Sequence, residues 1–286
     1  MFPFFTIFGK TVGTYSLMAL VGAAAVCFML YILSKKGFKI GLDDTVLVLL
    51  FAVLGIAVGG SFLYAVTNVK YLSLLAEIKS FGEFLDLCRV MFGGSVFYGG
   101  LIGVCIFGSW GVRMLKLDLK LYSDLLAVCA PLFHGFARIG CFLGGCCYGI
   151  ESCFGFTAYG NILVPDVNGV RRFPVQLLES VCNFLIFGII LILFSKRRAG
   201  KRPEGRLFFV YLGIYSFARF FIEFLRGDEI RGYIFGISTS QFIGLLAMAV
   251  SVIGWIVSGR KKTPDDKTDR SRGRLTKKMK KRTRKC

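Results

Sequence analysis

Long apolar segments dominate this sequence and restrict the folds that it can adopt. Segments of this kind are long enough to cross about 30 Å of hydrocarbon as helices. We expect crossings at 14–33, 44–66, 95–112, 122–144, 175–195, 206–225 and 234–257. The chain is 55% hydrophobic with 30 phenylalanines, which exceeds the apolar fraction of ordinary soluble domains. The sequence therefore predicts an all-α, polytopic membrane protein with seven transmembrane helices.

Lysine and arginine are distributed unequally between the two faces of this predicted bundle. With these crossings, 26 of the 36 basic residues fall on the side that carries the C-terminus, 8 fall on the opposite side and 2 lie within crossings. Because cytoplasmic loops are enriched in lysine and arginine, we expect a cytoplasmic C-terminus and an N-terminus outside.

The net charge of +19 comes largely from the end of the chain. Residues from Arg260 onward contain 14 Lys/Arg among Pro, Asp, Ser and Thr, a composition typical of disordered segments. We therefore expect a transmembrane domain at 1–258 and a basic cytoplasmic tail at 259–286. Positive charge beside a membrane attracts anionic headgroups, so the tail predicts contact with anionic lipids and no nucleic-acid partner.

Ionisable side chains inside apolar segments indicate a functional site, because each costs at least about 3 kcal/mol to place in hydrocarbon. Arg138 and Arg219 are the two arginines inside crossings, whereas Arg206, at the first residue of its crossing, is counted with the preceding loop. The expected orientation places them in the outer half of the bundle, together with Tyr15, Tyr98, Gly99, Gly100, Cys141, Gln176, Glu179 and Glu223. We expect these residues to share a cavity that opens to the outer leaflet.

One face of the fourth crossing carries three polar side chains. His134, Arg138 and Cys141 are spaced i, i+4 and i+7, so they share a helix face. The glycine-rich sequence at 144–149 is expected to unwind into a loop at the membrane surface. Cys141, Cys146, Cys147 and Cys153 cluster here without a paired Cys-x-x-Cys, so we predict no metal site. We expect either free thiols or a disulfide from one of them to Cys153.

Two interpretations of the charged residues remain open. Arg138 with Glu179, and Arg219 with Glu223, can be ion pairs that only offset the cost of their own burial. Alternatively, the two guanidinium groups bind an anionic ligand, and the geometry of arginine suits phosphate.

Six short motifs follow one another through nearly the whole chain short of the tail. They are Phe5-Thr-Ile-Phe-Gly9 leading to Tyr15, Phe97-Tyr98-Gly-Gly-Leu-Ile-Gly103, Arg138-Ile-Gly-Cys141-Phe-Leu-Gly-Gly-Cys146-Cys147-Tyr-Gly149, Phe173-Pro-Val-Gln176-Leu-Leu-Glu179, Arg219-Phe-Phe-Ile-Glu223-Phe-Leu-Arg226 and Ser240-Gln241. In this order and spacing they resemble the prolipoprotein diacylglyceryl transferase family of bacterial plasma membranes.

The resemblance implies a reaction at the outer face of the bacterial plasma membrane. A diacylglyceryl group would move from phosphatidylglycerol to the lipobox cysteine of an exported prolipoprotein, without a diffusible cofactor. Catalytic roles are then expected for Arg138, Arg219, Glu223 and Tyr15. The expected substrate-binding residues are Arg138, Tyr98, Gly99, Gly100, Cys141, Gly149, Gln176, Glu179 and Arg226.

This sequence departs from the family's pattern at positions of chemistry. Tyr98 stands where the family has histidine, Cys141 and Gly144 replace two asparagines, and Cys146 replaces a glutamate. His134 is a candidate for the missing base, because it shares a helix face with the catalytic arginine.

These departures keep other functions open. One is a diverged paralogue that moves a glycerolipid group to or from another acceptor. The others are a membrane thiol-disulfide oxidoreductase that uses the cysteine cluster and a transporter for a phosphorylated lipid.

Overall fold

The structure is a computed structural model, and it describes residues 3–7, 9–36, 38, 40–78, 80–94, 96–196, 205–228, 233–234 and 236–260. Within these ranges it does not describe the side chains of residues 7, 10, 76, 77, 97, 98, 233, 234, 259 and 260. Apart from its first two positions, the expected basic tail lies outside the described residues.

Helices make up most of the described chain. The α-helices are α1 (Thr14–Lys35), α2 (Leu42–Thr67), α3 (Phe81–Phe92), α4 (Phe97–Met114), α5 (Leu119–Gly144), α6 (Val175–Lys196), α7 (Leu207–Ile222) and α8 (Thr239–Arg260). Short 3-10 helices occur at Val69–Glu77, Pro165–Val167 and Glu223–Leu225. The described strands form antiparallel pairs, which are β1 (Phe4–Ile7) with β2 (Lys10–Gly13), β3 (Glu151–Thr157) with β4 (Arg171–Arg172), and β5 (Tyr233–Ile234) with β6 (Ile237–Ser238). The sequence analysis did not predict these strands.

Six helices in the described part of the chain are long and apolar enough to cross a membrane. They are α1, α2, α5, α6, the segment Leu207–Leu225 that extends α7, and α8, each overlapping one expected crossing. The expected crossing at 95–112 corresponds to α4, which is apolar but shorter over Gly99–Met114. The described helices thus agree with a polytopic membrane protein, whereas the number seven and the orientation stay predictions.

The connection between α2 and α4 contains a helix that the sequence analysis did not predict. The Ser80 hydroxyl accepts a hydrogen bond from the Glu83 N–H at 3.3 Å and so caps the start of α3. Leu87 and Met91, one turn apart, are buried in a cluster with Ala65 of α2. At 12 residues, α3 is too short to cross a bilayer and packs against α2.

Glycines allow α2 and α4 to approach closely. A Cβ atom at Gly99 would clash with the carbonyl of Gly59, and one at Gly103 would clash with the carbonyl of Gly55. Helix association in lipid depends on such close van der Waals packing, because lipid tails are as apolar as leucine. These glycines therefore fix α4 against α2.

Helix α5 occupies the centre of the described bundle and packs against α1, α6 and α7. Ala127 and Val128 on α5 and Ile190 on α6 are fully buried. The Ser180 hydroxyl of α6 donates to the Gly135 carbonyl of α5 at 2.8 Å. This interface sets the height of α6 relative to α5, on which the site described below depends.

A buried carboxylate anchors the start of α7. Asp124 is 1% exposed, and its oxygens accept hydrogen bonds from the backbone N–H groups of Gly205 at 3.2 Å and Leu207 at 2.9 Å. The first N–H groups of a helix have no partner within the helix, so a carboxylate from α5 stabilises them. Helix α7 is thereby positioned directly against α5.

Candidate active site

The polar face expected on α5 is present. Arg138 Nε donates to His134 Nε2 at 3.1 Å, and Arg138 Nη1 lies 3.9 Å from the Cys141 sulfur. Because Nε2 accepts this bond, the geometry assigns a neutral imidazole with its proton on Nδ1. His134 thus orients the guanidinium along the helix face.

Glu179 of α6 is the point where arginines from three segments meet. It is 1% exposed. Arg138 Nη2 lies 3.0 Å and Arg219 Nε 3.9 Å from its Oε1, and Arg226 Nη1 lies 3.9 Å from its Oε2. A buried carboxylate requires opposite charge to compensate for its lost hydration. The sequence analysis had paired Glu179 with Arg138 alone.

Arg219 is held from two sides and still has one unused donor. Its Nη2 pairs with Glu223, one helical turn further along, as the spacing suggested. Ser238, which the sequence analysis did not predict, donates its hydroxyl to Glu223 Oε1 at 3.0 Å. The buried Nη1 of Arg219 has no hydrogen-bond partner among the described residues. A buried donor of this kind costs about 1–3 kcal/mol, so a ligand acceptor at this atom would stabilise the site.

Arg226 is fixed by a neighbouring carboxylate. Its Nε and Nη2 donate to Oδ1 and Oδ2 of Asp228, both at 2.9 Å, in a bidentate pair. Burial raises the pKa of the Asp228 carboxyl, and Arg226 opposes this change. The pair holds Arg226 with its remaining nitrogen toward Glu179. The sequence carries no periodic signal for Asp228, which lies beyond the end of α7.

Tyr215 belongs to the site although the sequence analysis did not identify it. Its hydroxyl donates to Glu179 Oε1 at 3.4 Å, and its ring centroid lies 5.3 Å from that of His134. Tyr215, Arg219 and Glu223 are spaced i, i+4 and i+8. A search for polar residues at helical spacing around Arg219 would therefore have found it.

The chain reverses direction after α5. Gly145 has a φ of 83° and donates its N–H to the Cys141 carbonyl at 2.9 Å, which ends the helix. Cys147 has a φ of 56°, an uncommon conformation for a residue with a side chain. The expected unwinding at 144–149 is confirmed, and the reversal returns the two following cysteines toward Cys141.

Neighbouring segments hold this turn. Gln176 of α6 is buried and donates its Nε2–H to the Cys146 carbonyl at 2.9 Å. Gly149 forms a β-bridge with Arg226, and a Cβ atom at Gly149 would lie 3.0 Å from the Leu225 carbonyl oxygen. Both residues therefore shape the wall of the site, whereas their expected contact with substrate stays a prediction.

Three thiols gather at the turn. The Sγ atoms of Cys141, Cys146 and Cys147 all lie within 4.8 Å of one another, and Cys153 is exposed on β3 outside this group. None of these cysteines is in a disulfide. Hydrogen bonds from the other two thiols, with Arg226 and then Arg138 as weaker contributors, hold the pKa of Cys147 below the usual range. The bond shared with Cys141 raises the pKa of Cys146.

The remaining predicted site residues lie on α1 and α4. Tyr15, in the first turn of α1, packs against α5, where a Cβ atom at Gly140 would lie 3.2 Å from the Tyr15 Cα. Gly99 and Gly100 lie in the first turn of α4, where Cβ atoms would meet Gly59, Leu63 and Ile56 of α2. The side chain of Tyr98 lies outside the described residues. The structure thus brings Tyr15 to the α5 face, and the roles of the α4 residues stay predictions.

Carboxylates accompany each arginine of this centre. Among the described residues, three arginines face three carboxylates, which are Glu179, Glu223 and Asp228. In this part of the chain the buried Nη1 of Arg219 has no hydrogen-bond partner among the described residues and is available to an anion, and the Nη1 of Arg138 lies 3.9 Å from the sulfur of Cys141. Arginine N–H groups on adjacent helices can bind the oxygens of one phosphate.

Fold and site together define a polytopic membrane protein with a buried arginine-carboxylate centre. A model of the prolipoprotein diacylglyceryl transferase family matches residues 3–257. The chain belongs to this family.

Similar proteins cover most of the chain. Phosphatidylglycerol–prolipoprotein diacylglyceryl transferase 2 of Clostridium perfringens (strain 13 / Type A) is 33% identical over 271 residues, which are 90% of this chain and 96% of the relative. The phosphatidylglycerol–prolipoprotein diacylglyceryl transferase of Geobacter sulfurreducens is 30% identical over 260 residues, 87% of this chain and 92% of the relative. The phosphatidylglycerol–prolipoprotein diacylglyceryl transferase of Clostridium tetani is 31% identical over 258 residues, which are 87% of this chain and 94% of the relative.

Proposed function

We propose that this chain transfers a diacylglyceryl group from phosphatidylglycerol to the lipobox cysteine thiol of an exported prolipoprotein. Family membership and the names of the relatives support this activity. The observation that carries it is the convergence of Arg138 and Arg219 on Glu179, with a buried donor of Arg219 left without a partner among the described residues.

The reaction needs positive charge at the leaving group. The thiol sulfur attacks a glycerol carbon, a carbon-sulfur bond forms, and the carbon-oxygen bond to phosphate breaks. Glycerol phosphate leaves with the electron pair of the broken bond, and the thiol proton passes to an acceptor in the site. Fixed guanidinium groups in a dry site stabilise the phosphate charge that develops.

Glu179 gives this arrangement its geometry. The carboxylate holds Arg138 through Nη2 and Arg219 through Nε, and the Nη1 of Arg219, which has no partner among the described residues, is left for the phosphate. Because Glu179 and Glu223 neutralise the arginines before substrate arrives, the site is stable when empty. An arriving phosphate adds acceptors without requiring either ion pair to break.

His134 acts first as a positioning residue in this proposal. Its Nε2 lone pair accepts from Arg138, so a role as base requires this bond to open. A free thiol with a pKa of about 8.5 is already a few per cent ionised near pH 7. The loss of a strong base therefore slows the reaction without abolishing it, and His134→Gln should retain transfer if the histidine only positions Arg138.

In this proposal the chain crosses the membrane seven times, and the site lies on the extracytoplasmic side. Tyr15 and Glu179 lie near the starts of α1 and α6, and Arg138 and Arg219 near the ends of α5 and α7. With alternating directions and α4 as a crossing, these ends share the outer face. Residues 1–258 then form the transferase domain and 259–286 a cytoplasmic tail that contacts anionic lipids. No diffusible cofactor and no nucleic acid are involved.

Complementation tests the proposed activity. The chain, expressed in bacteria depleted of their own transferase, should restore lipidated lipoprotein. Purified protein should convert a lipobox peptide in the presence of phosphatidylglycerol, with glycerol phosphate released in equal amount. A chain that is inserted and folded but lipidates no peptide would refute the proposal, and modification of another acceptor would favour the diverged paralogue.

Two arginine substitutions, one in the site and one on the surface, test the proposed role of the guanidinium groups. Arg219→Gln should lower turnover by about 10²–10³-fold, the usual loss when one preorganised donor to a developing negative charge is removed. Arg89→Gln is the control, because Arg89 is exposed and pairs with Asp86 on the surface of α3. Equal activity of the two variants would remove Arg219 from the mechanism.

A further inference from the structure

The bond-forming and bond-breaking steps of the proposed transfer involve none of the three thiols. Cys141 ends the polar face of α5, and Cys146 and Cys147 follow the turn that closes the helix. Their sulfurs lie within 4.8 Å of one another although the sequence contains no paired Cys-x-x-Cys. The sequence predicted a cluster of thiols without a metal site, and the structure shows that three of the four sulfurs come close enough to share one ligand.

The surrounding backbone holds the three cysteines in place. The left-handed conformations of Gly145 and Cys147 reverse the chain, and the Gln176 side chain binds the Cys146 carbonyl at 2.9 Å. The Gly227 N–H binds the Tyr148 carbonyl at 3.0 Å directly after the cluster. Strained backbone of this kind persists when the surroundings impose it, and it concentrates at ligand sites.

The spacing of the sulfurs suits a soft cation. Zinc binds thiolate sulfur at about 2.3 Å, which puts the sulfurs of one tetrahedral site about 3.8 Å apart. The limit of 4.8 Å between Cys141, Cys146 and Cys147 is close to this value, so small side-chain rotations complete the geometry. We propose that Cys141, Cys146 and Cys147 bind one thiophilic d10 cation of the zinc class.

The charges nearby support this assignment. Three thiolates and one divalent cation carry a net charge of −1, and Arg138 Nη1 lies 3.9 Å from the Cys141 sulfur. Thiolate ligands select soft cations over magnesium and calcium. Three protein ligands leave one coordination position for water or another donor.

Metal titration of the full-length protein tests the site. The protein is purified in detergent micelles, reduced without oxygen and titrated with Zn²⁺ against a chromophoric chelator. One equivalent should bind tightly, and Cd²⁺ should produce ultraviolet thiolate-to-metal charge-transfer absorption. Loss of an outer-shell partner already weakens metal sites about 10–100-fold, so Cys146→Ser and Cys147→Ser should each weaken binding by more than about 100-fold.

Cys153→Ser is the matched control, because Cys153 is exposed on the adjacent strand and lies outside the group. It should bind Zn²⁺ as the parent protein does. Tight binding that survives Cys141→Ser/Cys146→Ser/Cys147→Ser would overturn the proposal, and so would the absence of a bound equivalent in the parent protein.

Alkylation of the parent protein provides a test that needs no variant. Zn²⁺ should protect Cys141, Cys146 and Cys147 from a maleimide, read by mass spectrometry of the peptides, and should leave Cys153 reactive. If the reduced protein shows no protection and air instead joins two of the three thiols in a disulfide, a redox role replaces the metal site. None of these readouts depends on transferase activity.

Discussion

Replacement of Glu179 by glutamine tests whether this carboxylate organises the centre. Glutamine keeps the length of the side chain and one oxygen acceptor but removes the negative charge. Three arginines then face two carboxylates, so the buried centre carries one uncompensated positive charge. We expect Glu179→Gln to lower the free energy of unfolding strongly.

The magnitude follows from the distances. Glu179 lies 3.0 Å from Arg138 and 3.9 Å from each of Arg219 and Arg226. At an effective dielectric constant of about 20, opposite unit charges attract by about 5.5 kcal/mol at the shorter distance and about 4 kcal/mol at the longer one. Desolvation of the buried carboxylate offsets most of this attraction. Removal of one member of a buried charge cluster typically costs about 3–5 kcal/mol, and we expect the lower end because glutamine still accepts a hydrogen bond.

Denaturant titration in mixed micelles measures this change. Glu151→Gln is the matched control, because Glu151 is 74% exposed and also has an arginine nitrogen, Arg172 Nη2, at 3.9 Å. That exposed pair should contribute less than about 1 kcal/mol. Phosphatidylglycerol in the micelle should raise the free energy of unfolding of Glu179→Gln more than that of the parent protein, because its phosphate supplies the missing negative charge. Equal unfolding free energies for the two variants would refute the reasoning.

Three further substitutions test other parts of the fold and site. Asp124→Ala removes the cap of α7 and should lower the free energy of unfolding by about 1–3 kcal/mol, measured by the same titration; an unchanged value would contradict the capping role. Gly103→Ala should separate α2 from α4 and lower the free energy of unfolding by about 1–3 kcal/mol. Gly108→Ala is the control: a Cβ atom at Gly108 would have no described atom within 4 Å, so this variant should be as stable as the parent protein or slightly more stable. Ser238→Ala removes a hydrogen bond to Glu223 worth about 1 kcal/mol. Turnover should therefore fall about fivefold, with substrate affinity unchanged. A change confined to KM would argue against a role of Ser238 in turnover.

Periodicity within single helices was readable from the sequence. The shared face of His134, Arg138 and Cys141 and the pair of Arg219 with Glu223 follow from helical spacing, because residues four apart are neighbours on one helix. The same rule would have identified Tyr215, had it been applied along α7.

Helical spacing does not predict contacts between side chains on different helices. Nothing in the sequence indicates that Arg219 and Arg226 both reach Glu179, since this depends on the height at which α6 packs against α5 and α7. Helix α3 and the short strands were not predicted, because their apolar segments are short and lie between much longer apolar segments. The clustering of thiols likewise depends on a turn that neighbouring segments hold.

The polytopic class, the family and most of the polar residues followed from composition and motif order, because hydrocarbon allows only helices of sufficient length and tolerates few charges. The shared carboxylate, the nitrogen of Arg219 that lacks a partner among the described residues, and the exclusion of Cys153 from the group of three sulfurs are properties of the packed helices. Distances between side chains on different helices depend on crossing angles and relative heights. These result from the packing of every interface together and are not encoded in any single segment.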